Sequence, residues 1–208
     1  MTTLYIVRHG ETENNINDIL QGYTVDSPLT QKGIGQAENL AEELSPVHFD
    51  EVYSSDLPRA KKTAEIIAAG RKLEIKTTKT LREQNYGKYE GVGYDEFYSA
   101  LKERFQLFDK LSDEEKKHFL FAEGMETDRE TVERFLTFIK ELSAENPEKT
   151  VLIVTHGDVI KYFLIHIGFA TYSQLNGETI ENCSYIKLES NGTDFLVKEA
   201  KGIHKSTS

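Results

Sequence analysis

Only one cysteine, Cys183, occurs among the 208 residues, so no internal disulfide can form and a structural zinc site cannot rest on cysteine. Such a chain suits a reducing compartment. No apolar run approaches the roughly 18 residues of a membrane span, and Met1 to Tyr5 leads straight into a strand-like run without the layout of a signal peptide. These absences make a soluble cytoplasmic protein with no membrane partner the expectation. Positive charge is scarce as well: 25 lysines and arginines face 35 aspartates and glutamates, a formal charge of -10. That surface repels a polyanion, so nucleic acid is not an expected partner, whereas a small anion can still sit in a locally basic pocket. Repeats and low-complexity tracts are missing too. With 38% hydrophobic and 29% charged residues, the chain fits one substantial core, and a single domain over 1–208 is expected.

What is present is a device used twice. Leu4 to Val7 is a continuous apolar run that ends at Arg8, His9 and Gly10, and Val151 to Val154 is another that ends at Thr155, His156 and Gly157. Short runs of this kind read as strands buried on both faces, as in parallel sheets. Between them, Thr30 caps a helix whose Ala37, Leu40, Ala41 and Leu44 recur at helical spacing, Phe49 to Tyr53 reads as a strand, and Pro58 opens a second helix with Ala60, Ala64, Ile67 and Ala68 on one side. Ser54, Ser55 and Asp56 are expected as its capping and turn residues. Leu73 to Lys76 reads as a short strand. Ser184 to Leu188 and Phe195 to Lys198 read as a terminal strand pair around Asn191 and Gly192, with a frayed tail from Lys201 to Ser208.

The alternation predicts an α/β fold: a three-layer αβα arrangement with a mostly parallel central sheet. The charged, strand-free stretch at about 94–128 is expected as a helical insertion covering the carboxyl end of the sheet. Ligands of such sheets bind beyond the carboxyl ends of the strands, so both His-Gly pairs are placed to share one site. An exposed edge strand would let two chains pair as a homodimer, though none is singled out by the sequence.

Arg8 and His9 set a guanidinium beside an imidazole at a strand end. Arginine's planar fork matches a phosphate or carboxylate, and a histidine that is largely neutral near pH 7 can act as a nucleophile. The pairing points to attack on an anion. The sequence LYIVRHGETENN at Leu4 to Asn15 then resembles the signature of the histidine phosphatase superfamily, also called phosphoglycerate mutase-like. The resemblance continues through Gln21-Gly22, DSPLTQKGIGQA from Asp26, YSSDLPRAKKTAEI from Tyr53, LREQNYGKYEG from Leu81, VTHGDVIKYFL from Val154 and ENCSYIKL from Glu181.

Carried over residue by residue, the resemblance implies that His9 is the nucleophile that becomes a transient phosphohistidine. It implies that Arg8, Arg59 and His156 hold the phosphoryl oxygens, and that Glu83 protonates the leaving oxygen and later activates water. Asn15, Gln21, Gly22 and Gly157 are placed at the phosphate, although the tryptophan often found before the asparagine is Asn14 here. No metal and no cofactor are implied, and the expected partner is a small phosphorylated metabolite. The chemistry is sound on its own terms, since phosphoryl transfer needs in-line attack, charge neutralisation and a proton for the leaving group.

Each residue alone has a plainer reading. Arg8 could be a surface ion-pair partner, His9 or His156 a hydrogen-bonded core histidine, and Arg59 a residue of a helix surface, though a cation in a first helical turn opposes the helix dipole and asks for an anion. Glu90 competes with Glu83 for the acid role. The remaining histidines carry no metal-ligand spacing. Within the resemblance, mutases show Glu-Arg-x-Tyr-Gly at the acid loop with an arginine-rich insertion after it, whereas here the loop reads Glu83, Gln84, Asn85, Tyr86, Gly87. The expected activity is therefore a metal-independent phosphomonoesterase. A cofactor-dependent phosphoglycerate mutase is the alternative enzyme, and a phosphoanion-binding regulatory protein with little catalysis is the alternative from another class.

Overall fold

A computed structural model describes residues 1–177 and 179–206. Six strands form one sheet in the order β3-β2-β4-β1-β5-β6, where β1 is Thr2–Arg8, β2 Glu51–Ser55, β3 Ile75–Thr78, β4 Thr150–Thr155, β5 Ile180–Ser190 and β6 Phe195–Ile203. The four strands from β3 to β1 run parallel, while β5 and β6 are antiparallel to their neighbours. The α/β fold class and the mostly parallel sheet are as expected.

Successive side chains of a strand point to opposite faces, and β1 shows why its run is apolar throughout. Leu4 and Ile6 pack with Phe135, Ile139, Ile160 and Phe163 from helices α7 (Asp128–Glu145) and α8 (Gly157–His166). Tyr5 and Val7 pack on the other face with Leu40, Ala60, Ala64 and Ile67 from helices α2 (Gln31–Glu43) and α3 (Pro58–Ile67). The result is three layers. A third cluster, with Leu20, Tyr86, Phe97, Leu101 and Met125 at its centre, anchors the segment after the acid loop, where helices α4 (Tyr94–Ala100), α5 (Lys102–Phe108) and α6 (Asp113–Lys117) lie. The short helix α1 (Glu13–Ile16) follows β1 directly, with a reciprocal cap between Thr12 and Asn15.

Local chemistry corrects several boundaries. Thr30 caps α2 through Gly33 N–H, and Pro58 takes the first turn of α3, both as expected. Ser54, Ser55 and Asp56 do not cap α3, whose N-cap Leu57 makes no side-chain cap; the turn part of the expectation holds at Ser55, whose Oγ accepts from Leu57 N–H at 3.3 Å, and Asp56 accepts two hydrogen bonds from Arg82 at 2.6 and 2.8 Å. β3 starts two residues later than the apolar cue at Leu73, because its register against β2 begins at Val52–Ile75. β5 and β6 are longer than their apolar cores. Lys201 to Ile203 belong to β6, and Ser206 N–H donates to the Gln174 carbonyl at 2.9 Å, so backbone pairing holds a tail that composition marked as frayed. Residues 207–208 of that expectation lie outside the described residues. Among the described residues no helix is long and apolar enough to cross a membrane.

Candidate active site

β1 and β4 are adjacent and parallel, with Arg8 opposite Thr155, so the next residue of each strand, His9 and His156, emerges at the same edge. Their ring centroids lie 5.2 Å apart. Both rings are buried, yet they are held differently. His9 Nδ1 lies 2.8 Å from the Gly10 carbonyl, and because a carbonyl only accepts, Nδ1 carries the proton and Nε2 keeps its lone pair. Burial lowers the His9 pKa well below the usual value, and the guanidiniums of Arg59 and Arg8 lower it further against the Gly10 bond. His9 is thus a neutral imidazole. Burial, then Arg59, lowers His156 in the same direction.

His9 is fixed from behind by β5. The Asn182 side chain and the Cys183 N–H both donate to the His9 carbonyl, at 3.1 and 3.3 Å. Cys183 sits at φ 57° where the β5–β6 pairing shifts register, a bulge beside the site that turns these donors inward. Burial pushes the Cys183 thiol up to about 12, which leaves it protonated and unreactive.

Arg59 enters from the first turn of α3 and its side chain is fully buried. Its terminal nitrogens donate to Asp26 Oδ1 at 2.6 Å, the Val25 carbonyl at 2.9 Å and the Gly22 carbonyl at 3.1 Å. Arg8 donates to the Ile180 carbonyl. Among the described residues, Arg8 Nε, Arg59 Nε and both ring nitrogens of His156 are buried without a partner. The two arginine nitrogens and the protonated nitrogen of the neutral His156 ring are unused buried donors at one site, and they call for a ligand that accepts hydrogen bonds.

Glu83 follows the 3-10 turn Lys79–Leu81 and is buried beside the start of α8, accepting from Gln84 N–H at 3.0 Å and Asp158 N–H at 3.3 Å. Burial raises its pKa to about 7, and the neighbouring Asp158 carboxylate adds to the rise. Glu90 is different. Although burial opposes its charge, hydrogen bonds from Thr24 and the backbone of Tyr23 and Val25 outweigh it and hold the carboxyl below its ordinary range. Glu90 ties down the loop after Gly22.

These groups line a cleft of about 1520 Å³ at the carboxyl edge of the sheet. Arg8, His9, Asn15, Gln21, Arg59, Glu83 and Gly157 reach its wall; His156 is not among the wall residues but packs edge-on to the His9 ring, and Gly22 stands outside the wall with its carbonyl on Arg59. Asn15 Oδ1 accepts from Thr12, and Gln21 Nε2 donates to Thr12 Oγ1 at 2.8 Å, so both are braced by one threonine. Residues that sequence reasoning gave no catalytic or binding role also meet here: Asn182, Tyr86, Asp128, Asp158, Tyr162 and Tyr172. Asn182, Tyr86, Asp158 and Tyr162 lie inside the quoted motifs, whereas Asp128 and Tyr172 carry no local signal.

Fold and site together define an α/β protein that holds an unprotonated imidazole against a buried, cationic anion cradle at the carboxyl ends of parallel strands. The profile of the histidine phosphatase superfamily (branch 1) matches residues 4–201, and the chain belongs to that family. It is 34% identical over 169 residues to an uncharacterized phosphatase, PhoE, of Bacillus subtilis, covering 81% of this chain and 78% of the relative. It is 32% identical over 195 residues to phosphoserine phosphatase 1 of Hydrogenobacter thermophilus, covering 88% and 90%. The solved structure of Bacillus stearothermophilus YhfR superposes with a TM-score of 0.84 at 32% identity, covering 98% of each chain.

Proposed function

We propose that the chain is a phosphomonoesterase that hydrolyses a small phosphorylated metabolite through a phosphohistidine, acting as one domain. The observation that carries this reading is the set of unpartnered buried donors, Arg8 Nε, Arg59 Nε and one ring N–H of His156, near a histidine whose Nε2 lone pair is free. A phosphoryl group accepts from these donors and meets the lone pair at once.

In the first step His9 Nε2 attacks phosphorus, the bond from phosphorus to the leaving oxygen breaks, and Glu83 gives that oxygen its proton. Arg8, Arg59 and His156 take the charge that spreads over the three equatorial oxygens. In the second step water attacks the phosphohistidine, Glu83 takes the water's proton, and inorganic phosphate leaves with His9 neutral again. A carboxyl near pKa 7 is suited to both directions of proton transfer. The names of relatives such as phosphoserine phosphatase 1 support the phosphatase class.

Gln84 favours hydrolysis over the mutase alternative. Its side chain donates to the Glu126 carbonyl at 2.9 Å and to Asp128 at 3.2 Å, so it is engaged inside the protein and offers no cation to a second acidic group. The test is turnover of p-nitrophenyl phosphate together with phosphorus NMR on 3-phosphoglycerate plus a trace of 2,3-bisphosphoglycerate. Free phosphate that disappears in a folded His9→Ala variant, persists with chelator and appears without 2-phosphoglycerate is the expected result. Wild-type turnover by His9→Ala, or isomerisation without release, would overturn it.

A further inference from the structure

Beyond the phosphoryl end, the cleft changes character. At about 1520 Å³ it exceeds the usual few hundred to roughly 1,000 Å³ of a small-molecule site, and much of its outer wall is aromatic. Tyr94, Phe97, Tyr98, Phe105, Phe108 and Phe121 contribute to it. Their rings are mutually packed, Tyr98 on Phe105 at 4.7 Å and Phe105 on Phe121 at 4.6 Å between centroids. Tyr98 remains 51% exposed, as a ligand-facing wall would be.

Next to this wall, three tyrosine hydroxyls spend their protons inside the protein. Tyr86 donates to Asp158 Oδ2, Tyr162 to Gln84 Oε1 at 3.3 Å, and Tyr172 to Asp128 Oδ2 at 2.8 Å. Gln84 spends its amide protons on Glu126 and Asp128. What these four side chains leave for a ligand is acceptors: hydroxyl lone pairs, carboxylate oxygens of their partners and ring faces, all of which favour a donor or a cation, while the hydroxyls of the exposed Tyr94 and Tyr98 can donate or accept. Asp95 and Asp109 add two more carboxylates to the lining, while the arginines among the described lining residues are Arg8 and Arg59, both at the phosphoryl end.

Two lysines, Lys116 and Lys161, also line this part. Lys161 Nζ lies 4.0 Å from Asp158, and Lys116 Nζ lies over the rings of Phe108 and Tyr172 at 5.3 and 5.7 Å. Each is engaged with an acceptor of the same wall. Lys116 thereby displays the interaction that an ammonium ligand would make.

We propose that this acceptor-lined, aromatic region is the leaving-group subsite, and that it selects phosphomonoesters whose leaving group is an aromatic or apolar body bearing an amine, over those bearing a second anion. The assignment rests on the phosphatase reading above and narrows it. Asp158 is its main charge-reading residue, and Asp128, whose pKa burial raises to about 7, adds charge through its ionised fraction. Asp128 is the deeper, at 3% exposure, and Asp158 is nearer the transferred group through its N–H bond to Glu83.

The test compares kcat/KM near neutral pH for 4-(aminomethyl)phenyl phosphate, phenyl phosphate and 4-carboxyphenyl phosphate, which share one ring and differ in charge. The expected order is amine, then neutral, then carboxylate, with about tenfold or more between the extremes. Asp128→Asn and Asp158→Asn should each pull the amine-to-carboxylate ratio toward one. That ratio cancels any change in the shared phosphoryl chemistry, including a change at Glu83. Should Asp128→Asn fail to fold, Asp158→Asn decides. Equal rates for the three esters, a preference for the carboxylate, or ratios unmoved in the folded variants would overturn the subsite. Folded protein that hydrolyses none of the three would overturn the phosphatase reading, and this inference with it.

Discussion

His9 and Glu83 are set to opposite purposes by one physical cause. Burial penalises charge, so it keeps the imidazole unprotonated and the carboxyl protonated, which are the forms a nucleophile and a general acid require. Because Glu83 must hold its proton, kcat/KM should fall as pH rises through about 7, while the depressed His9 pKa keeps the acid limb well below the usual histidine value. Removing the neighbouring charge with Asp158→Asn lowers the Glu83 pKa, so a kcat/KM profile should show its basic limb at lower pH. An unmoved limb would mean that another group sets it. At this scale much was legible: His9 and His156 each precede a glycine just past an apolar run, with Arg8 next to His9, which is a local pattern. The tyrosine–carboxylate contacts were not, since Tyr86 meets Asp158 and Tyr172 meets Asp128 across long stretches of chain.

Elements place these side chains through close packing of backbone on backbone. The loop leaving β1 crosses the start of α2 so tightly that a Cβ on Gly33 would lie 2.0 Å from the Glu11 carbonyl oxygen. In an isolated helix, Gly→Ala gains about 1 kcal/mol; here the overlap involves main chain that cannot swing away. Gly33→Ala should therefore destabilise the protein by about 1–3 kcal/mol net in denaturant unfolding. It should also lower kcat, because the displaced loop carries His9. Sequence periodicity located α2 and α3 because their apolar faces recur within a few residues. It missed the true extents of β5 and β6, where Glu181 and Asn182 at one end and Lys201 and Gly202 at the other have little strand character and are held by partners far along the chain.

For the molecule as a whole, the buried acids and bases of the cleft make stability depend on pH in opposing ways. Glu83 and Asp128 both have pKa values raised to about 7. Raised carboxyl values favour the folded state below the unfolded-state pKa and lose that contribution as pH climbs through about 7. His9 and His156, depressed by burial, contribute fully above the unfolded value near 6.5 and lose that contribution as pH falls below it. Glu83→Gln removes one of these terms. Measured by urea unfolding, its stability relative to the parent should rise from pH 5 to pH 8, at no more than about 1.4 kcal/mol per pH unit; a flat difference would mean that Glu83 ionises normally.

The placement of β4 between β1 and β2 has a consequence for synthesis. A chain growing from its amino end makes β1 and β2 early, yet these two strands never touch; the one that joins them is made only at Thr150–Thr155. Until then each exposes an unpaired edge of the kind that recruits other chains. His9 meanwhile lacks both His156 and the Thr155 carbonyl that accepts its N–H. Competence for chemistry thus waits first on β4 and then on β5, whose Asn182 and Cys183 hold the His9 carbonyl.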